Sequence, residues 1–306
     1  MPEVRHPDGA PFRPPCPFLL WNFYQLIPHL ARCLTPNFTQ QEIDIIALWY
    51  QYGDMIIYQP NHEELLEKLE TGDKSQPVFI SGPVVHYREA LDLQLALRKA
   101  RTADRIPDTV LILEHKPVIT VGIRKDRSIM LADKDTLTKN GIEIVKIARG
   151  GGATAHNPGQ LVIYPILKLS PRGLRVVPYV HFLEELCINL LAAYGVEAET
   201  RHRFPGVWVL ERKIASLGVE LVRGVTMHGV ACNMINNLDI FSYIVPCGIE
   251  GVRMTSLEKE TGQTPEMQSI KKRIPALCSD FFSRYAYYPK KTAGTSSESQ
   301  LTGNKE

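Results

Sequence analysis

Apolar residues recur at helical spacing in three stretches of the chain. In residues 87–101 and 179–194 they lie three or four positions apart among polar residues, and Gly195 follows the second stretch where a helix cap is expected. A charged amphipathic run at residues 62–70 has the same spacing. The pattern predicts a helix over each stretch.

Short apolar runs bounded by proline, glycine and polar residues predict the strands. Two such runs lie at residues 110–114 and 118–122, and we expect a turn at Pro117 to join them. The other expected strands lie at residues 143–148, 161–167, 207–210, 214–222 and 230–234. Because strands outnumber helices, we expect an α/β (α+β) fold in which helices pack on a mixed β-sheet.

Composition divides the chain into three parts. Residues 1–76 begin with a proline-rich stretch, residues 77–289 carry the α/β pattern, and residues 290–306 are dominated by Lys, Ser, Thr and Gly. We expect an N-terminal extension that is partly disordered or used in targeting, then a catalytic domain, then a flexible C-terminal tail.

Composition also excludes several classes of function. The 306 residues are 44% apolar, and 35 Lys and Arg against 33 Asp and Glu give a net charge of +2. So small a charge gives no long-range attraction to nucleic acid or to an anionic membrane. No apolar run reaches the roughly 20 residues of a membrane span. The six scattered cysteines form no CxxC pair, which favours a reducing compartment and no metal site.

The first segment that can carry chemistry is RGGGATAHNPGQ, residues 149–160. Three successive glycines let the backbone approach a ligand closely, and Arg149 and His156 can reach a polar or anionic group from either end. No helix follows, as a dinucleotide fingerprint requires, and no GK[ST] of a phosphate-binding loop is present. We interpret the segment as a binding loop, with a plain turn between strands as the alternative.

Three further segments contain candidate reactive side chains. Lys213 lies between two predicted strands, where an exposed hairpin lysine is the more ordinary interpretation. His228, in a glycine-flanked stretch, more often has a structural role. Cys247 stands between Pro246 and Gly248, which favours a turn with an accessible sulfur, so it is the best nucleophile candidate among the cysteines. A buried free thiol is the alternative.

Four ordered segments resemble the motifs of the octanoyltransferase family of lipoate biosynthesis, also called lipoate-protein ligase B. They are RGGGATAHNPGQLVIYP, PGVWVLERKIASLGV, GVTMHGVACN and VPCGIEGVRMTSL. The resemblance covers roughly residues 84–288 and implies the fold of the biotin and lipoate ligases. With the N-terminal extension it suggests a eukaryotic, mitochondrial member, although Glu3, Asp8 and the many prolines suit a transit peptide poorly. A cytoplasmic location is the alternative.

The resemblance implies transfer of an octanoyl (or lipoyl) group from acyl carrier protein to a lysine of apo lipoyl domains. These acceptors belong to 2-oxoacid dehydrogenase complexes or are the glycine-cleavage H protein. By similarity, Cys247 carries the acyl group as a thioester and Lys213 activates the thiol. Because transfer from thioester to thioester to amide runs downhill, we expect no ATP, metal or other cofactor.

The family's substrate-binding segments correspond to Arg149, Gly150, Gly151, Gly152, Ala153, Thr154, Ala155, His156, Ser216, Leu217, Gly218, Gly229, Val230 and Ala231. We expect an apolar groove for the acyl chain, walled by Val162, Tyr164, Leu217 and Val230. The chain departs from the family pattern at two positions. Ala155 replaces the usual aromatic residue, which would widen the pocket, and Asn157 replaces a glycine.

Three alternatives stay open at this point. An ATP-dependent lipoate or biotin ligase would share the fold but would not need Cys247. A non-catalytic lipoyl-domain-binding protein would not need both Cys247 and Lys213. A thiol hydrolase would release free octanoate.

Overall fold

Two β-sheets form the centre of the computed structural model, which describes residues 55–58, 61–124, 128–202, 204–249 and 251–285. Its strands are β1 Ile56–Ile57, β2 Val78–Val85, β3 Thr109–His115, β4 Val118–Val121, β5 Glu143–Lys146, β6 Ala153–His156, β7 Gln160–Ile166, β8 Glu199–Thr200, β9 Val207–Val209, β10 Arg212–Val222, β11 Val225–Asn233 and β12 Arg253–Met254. The predicted tail, residues 290–306, and most of the predicted extension lie outside the described residues.

The main sheet has nine strands in the order β1-β2-β3-β7-β11-β10-β9-β8, with β12 beside β10. The pairs β1–β2, β2–β3 and β10–β12 are parallel, whereas the pairs from β3 through β7, β11, β10 and β9 to β8 are antiparallel. The predicted mixed sheet is therefore confirmed. Every residue of β3, β7 and β11 is buried, as expected for strands covered on both faces.

The second sheet has three strands in the order β5-β4-β6. The runs predicted at residues 110–114 and 118–122 are both strands, but they do not pair with each other. β3 belongs to the main sheet and β4 to the second, because Lys116 donates its backbone N–H to Val85 of β2 and Pro117, which has no N–H, ends that ladder. The apolar face of the second sheet packs Ile119 against residues such as Leu137 and Phe241.

The helices of the described residues are α1 His62–Thr71, α2 Tyr87–Thr102, α3 Lys134–Lys139, α4 Val176–Ala192, α5 Leu257–Thr261, α6 Met267–Lys271, α7 Ile274–Leu277 and α8 Ser279–Arg284. The three predicted helices are confirmed as α1, α2 and α4. Helix α2 buries Ala90, Leu93 and Leu97 against the main sheet, which explains its apolar spacing. None of these helices is long and apolar enough to cross a bilayer.

The compact unit begins well before the predicted domain boundary at residue 77. Strand β1 extends the main sheet beside β2, and Tyr58, Leu65 and Leu69 are buried in the core shared with α2. The described residues from Ile56 onward belong to one compact unit. The boundary after residue 76 is corrected accordingly: the apolar face of α1 needs the main sheet to leave water.

Candidate active site

Cys247 lies on a 3-10 turn, Pro246–Gly248, as its flanking residues predict. The φ angle of Cys247 is 55°, a left-handed conformation that is unusual for a residue with a side chain, and that of the following Gly248 is 67°. Among the cysteines of the described residues, Cys187, Cys232 and Cys278 are buried and only Cys247 is partly exposed. Its sulfur is therefore the accessible thiol of this part of the chain.

Lys213 is the residue that the structure brings to this sulfur. It is the second residue of β10, not a hairpin tip, and its side chain is buried, so the solvent-exposed interpretation is wrong. Its Nζ donates to Cys247 Sγ at 3.4 Å and to the Pro205 carbonyl at 2.8 Å, and it faces the Trp208 ring at 5.4 Å. No carboxylate pairs with Lys213 within the described part of the chain.

Gly206 makes room for this lysine. Its φ of 133 lies outside the range that other residues adopt easily, and a Cβ there would lie 2.5 Å from Lys213 Cε and 2.9 Å from Nζ. Pro205 and Gly206, which begin the PGVWV segment, both serve Lys213. Pro205 supplies a carbonyl acceptor for the ammonium, and Gly206 leaves space for the butyl chain.

Two spaces meet at Cys247. One, here called the inner cavity, is lined by Tyr87, Arg149, Gly151, Thr154, His156, Tyr164, Ser216, Leu217, Gly218, His228, Gly229, Val230, Ala231 and Cys247. The other, here called the outer cleft, is larger and is lined by Gly150, Gly151, Val180, Phe204, Pro205, Lys213, Leu217, Gly218, Val219, Cys247, Gly248 and Ile249. Cys247 therefore borders both spaces.

Most of the predicted binding residues line one of these spaces, but three do not. Ala153 and Ala155 point into the core of the second sheet beside Ile119, because side chains alternate along β6 and only Thr154 and His156 face the inner cavity. Ala155 therefore does not widen the acyl pocket, and that expectation is wrong. Gly152 lines neither space.

The expected apolar wall is confirmed in part. Tyr164, Leu217 and Val230 line the inner cavity. Val162 does not: it is fully buried in the core between the main sheet and α2. The wall is also more polar than expected, since histidine and tyrosine side chains form much of it.

Arg149 is a buried cation beside the inner cavity. Its Nη2 donates to the Thr120 carbonyl at 3.0 Å and to Thr120 Oγ1 at 2.8 Å, and its Nη1 donates to the Gly150 carbonyl at 2.9 Å. Burial lowers the pKa of this guanidinium from its ordinary value, while nearby Tyr87 and Cys247 oppose the shift. Gly218 permits the approach, because a Cβ there would lie 2.7 Å from Arg149 Cδ.

His156 is neutral and fixed. Its Nδ1 lies 2.7 Å from Gln160 Oε1, an oxygen that can only accept, so Nδ1 carries the proton. The ring stacks on Tyr87 with centroids 5.9 Å apart. Burial lowers the pKa of His156 to about 4. The imidazole is therefore an orienting wall at neutral pH and not a charged partner for a substrate.

Sequence reasoning missed two residues of the inner cavity. His228 was assigned a structural role, yet it lines the cavity, and its φ angle of 59° is left-handed. Burial, aided by the charge of Arg149, lowers the pKa of His228 to about 3. Its segment was singled out, so the signal was present. Tyr87, at the start of α2, hydrogen-bonds His228 Nδ1 at 3.4 Å, and no local sequence signal marks it.

Comparisons with known proteins place this site in a family. The chain matches the lipoyl protein ligase A/B catalytic domain over residues 86–278. It is 42% identical over 189 residues to an octanoyltransferase of Caldicellulosiruptor saccharolyticus, covering 61% of this chain and 80% of that protein. It is 39% identical over 201 residues to an octanoyltransferase of Syntrophobacter fumaroxidans, covering 66% of this chain and 88% of that protein.

Solved structures share the fold. A chain from the structure of a bipartite lipoate protein ligase and its E2 lipoyl domain from Thermoplasma acidophilum has a TM-score of 0.51 and 16% identity, covering 69% of this chain and 85% of its own. A lipoate-protein ligase A bound with ATP has a TM-score of 0.50 and 16% identity, with the same coverage. The predicted ligase-like fold is confirmed.

The chain therefore belongs to the lipoyl protein ligase A/B catalytic domain family. Within that family the relatives compared are octanoyltransferases, so the chain is an enzyme of the acyltransferase class, as its sequence predicts. These relatives are bacterial, so the expected eukaryotic, mitochondrial membership has no support from them.

Proposed function

We propose that the protein transfers an octanoyl group through a thioester on Cys247, with acyl carrier protein as donor and the lysine of an apo lipoyl domain as acceptor. The observation that carries the proposal is the 3.4 Å contact between Lys213 Nζ and Cys247 Sγ, at a cysteine that borders both the inner cavity and the outer cleft. A buried ammonium without a carboxylate stabilises a neighbouring thiolate.

The two spaces suit different parts of the substrates. The inner cavity is narrow and lined in part by Leu217, Val230 and aromatic rings, which offer an acyl chain apolar surface to contact. The outer cleft is larger and bordered by Val180, Phe204 and Ile249, which fits the long arm of a carrier or the lysine side chain of an acceptor. The acyl carbonyl would lie between them, at the sulfur.

The chemistry needs no nucleotide. The Cys247 thiolate attacks the donor thioester and keeps the acyl group as a second thioester, while the carrier leaves as a thiol with a proton from the Lys213 ammonium. The acceptor amine then attacks the second thioester, gives its proton to the neutral Lys213 amine and releases the Cys247 thiolate. Because each acyl bond is already activated, we propose that neither ATP nor a metal takes part.

An ATP-dependent lipoate ligase is the second candidate, since the solved structures of similar fold include a ligase bound with ATP. A ligase activates a free acid and has no use for an acyl-enzyme thiol. One experiment separates the two. The protein is mixed with octanoyl-acyl carrier protein without ATP and examined by intact-protein mass spectrometry, beside a Cys247→Ser variant.

We expect a hydroxylamine-labile octanoyl adduct on the wild type, transfer of that adduct to an added apo lipoyl domain, and neither in Cys247→Ser. Transfer that requires ATP and free octanoate would contradict the proposal in favour of the ligase. Release of free octanoate without transfer would favour a hydrolase. Binding of the lipoyl domain with no adduct would favour a non-catalytic binder.

Mitochondrial localisation is part of the proposal, because the predicted extension precedes the catalytic domain and apo lipoyl domains are the proposed acceptors. A fluorescent fusion of the full chain tests it in cells. Co-localisation with a mitochondrial marker is the expected result, and a diffuse cytoplasmic signal would contradict it.

A further inference from the structure

The inner cavity contains buried polar atoms that the protein leaves unsatisfied. Thr154 Oγ1, Ser216 Oγ and His228 Nε2 are shielded from solvent and have no hydrogen-bond partner among the described residues. Thr154 is 6% exposed, Ser216 is 7% exposed and His228 is 1% exposed, and all three residues line the cavity. Because an unpaired buried polar atom is costly, these atoms point to a group that arrives with the substrate.

The substrate of the proposed function offers one such group. An octanoyl chain is hydrocarbon, so its thioester carbonyl oxygen is the hydrogen-bonding atom that it brings to the sulfur. Negative charge develops on that oxygen when a thiolate attacks, and donors fixed in advance around it lower the barrier most. A hydroxyl that donates to nothing in the free enzyme is available for this oxygen.

Thr154 is better placed for this than Ser216. Thr154 lies on β6, which packs against the turn Pro246–Gly248 that carries Cys247. It also pairs across the second sheet with Thr120, the residue held by the Arg149 guanidinium. Ser216 lies on β10 inside the main sheet, where it pairs with Ala231.

We infer that Thr154 is a catalytic residue whose hydroxyl donates a hydrogen bond to the acyl carbonyl oxygen in the transition state. The inference rests on the proposed function and assigns one further role within it. Arg149, buried beside the same strand pair, contributes positive potential without needing a carboxylate partner.

The step balances with the groups at the site. Cys247 Sγ bonds to the carbonyl carbon while the π pair of the carbonyl moves onto oxygen, where Thr154 donates. The pair returns, the bond to the carrier sulfur breaks, and the carrier thiolate takes a proton from the Lys213 ammonium. In the second half the acceptor amine attacks the same carbon, its proton goes to Lys213, and Cys247 leaves as thiolate.

Thr154→Val in the full chain tests the role, because it removes the hydroxyl and keeps the branched shape. With octanoyl-acyl carrier protein, we expect single-turnover acylation at saturating donor to be about a hundredfold slower. The donor concentration that gives half the maximal rate should change less than about threefold, since the hydroxyl acts mainly in the transition state. Thr154→Ser, which keeps the donor, should recover most of the rate.

Thr138→Val is the matched control. It makes the same substitution at an exposed position of α3 that borders neither space, and we expect its acylation rate to stay within about threefold of the wild type. Thermal unfolding provides an independent readout. Because the lost hydroxyl of Thr154→Val has no partner to leave behind, this variant should unfold at the same temperature as the wild type or a higher one.

The outcomes separate this inference from the proposed function. Thr154→Val that acylates as fast as the wild type, or Thr138→Val that slows equally, would overturn the role of Thr154 while leaving the thioester route intact. A wild type that forms no adduct at all would instead overturn the proposed function. Slow acylation accompanied by a lower unfolding temperature would show that Thr154 is structural.

Discussion

Two lysines of this protein are buried to the same extent but have different partners. Lys213 and Lys271 are each 1% exposed. Lys271 donates to Glu114 Oε1 at 2.7 Å and to the Gly82 carbonyl at 2.8 Å. Lys213 instead contacts a thiol and a carbonyl. A carboxylate neutralises the charge of a buried ammonium, whereas a thiol can exchange a proton with it. The partner therefore decides which lysine is structural.

The structural lysine also supports the site from a distance. Helix α6 places Lys271 against Glu114 of β3, and the second oxygen of that carboxylate accepts from the Gly159 N–H at 2.8 Å. Gly159 belongs to the turn between His156 and Gln160. The ion pair therefore joins the C-terminal helices to the turn that orients the cavity histidine.

The strongest test of this comparison replaces the reactive lysine. Lys213→Met keeps most of the side-chain volume but removes the ammonium, so we expect octanoyl transfer to slow by about a thousandfold or more. Single-turnover mass spectrometry measures the rate. Lys213→Arg should not rescue it, because a guanidinium does not give up its proton and the space beside Gly206 fits a narrow chain. A variant that retains more than a tenth of the rate would contradict the proposed role.

The structural lysine should respond in the opposite way. Lys271→Met leaves the Glu114 carboxylate buried without its partner, and we expect the free energy of unfolding to fall by about 3–5 kcal/mol, measured by urea denaturation. The acylation rate of the folded fraction should change less than tenfold. In the double variant with Glu114→Gln most of the stability should return. A normal stability in the single variant would show that the ion pair contributes little.

Acid should lower the free energy of unfolding through the two buried histidines of the inner cavity. The pKa values of His156 and His228 are held at about 4 and about 3 in the fold and return to about 6.5 in the unfolded chain, so the unfolded chain binds more protons below pH 6.5. We expect stability that is complete above about pH 6.5 and declines as the pH falls toward 4, by roughly 1.4 kcal/mol per pH unit for each histidine.

Urea denaturation at pH 7 and pH 5 measures this loss. His156→Gln should reduce the difference between the two pH values, whereas His86→Gln, at an exposed position, should leave it unchanged. An equal loss in all three proteins would contradict the assignment to the buried ring.

The smallest effect is expected at the indole that faces Lys213. Trp208→Phe keeps an aromatic face near the ammonium, now 5.4 Å from the ring, but weakens an attraction of about 0.5–2 kcal/mol. We expect the transfer rate to change by about two- to fivefold, in steady-state assays. A loss above a hundredfold would mean that the indole itself positions the lysine.

Local pattern was sufficient for elements whose apolar residues form an uninterrupted periodic or continuous run. Helices α2 and α4 and strand β7 follow directly from apolar spacing and run length. The beginning of β11 was missed because Gly229 and His228 interrupt the apolar run, although all nine residues of the strand are buried. Strand β6 was hidden by the glycines before it, and the second sheet depends on pairing between runs that are distant in sequence.

The site was recognisable for a different reason. The four motifs identify Cys247 and Lys213 by resemblance, while composition alone favours an exposed hairpin for the lysine. Which alanine faces the cavity, and that Tyr87 reaches His228, depend on the register of β6 and on how α2 packs. Neither is encoded by any single segment.

The position of Cys247 between the inner cavity and the outer cleft has a kinetic consequence for the proposed reaction. If carrier and acceptor both approach Cys247 through the outer cleft, they visit the enzyme in turn. We then expect double-displacement kinetics, with parallel lines in reciprocal plots. An excess of unmodified lipoyl domain should then slow the reaction by occupying enzyme that has not yet been loaded.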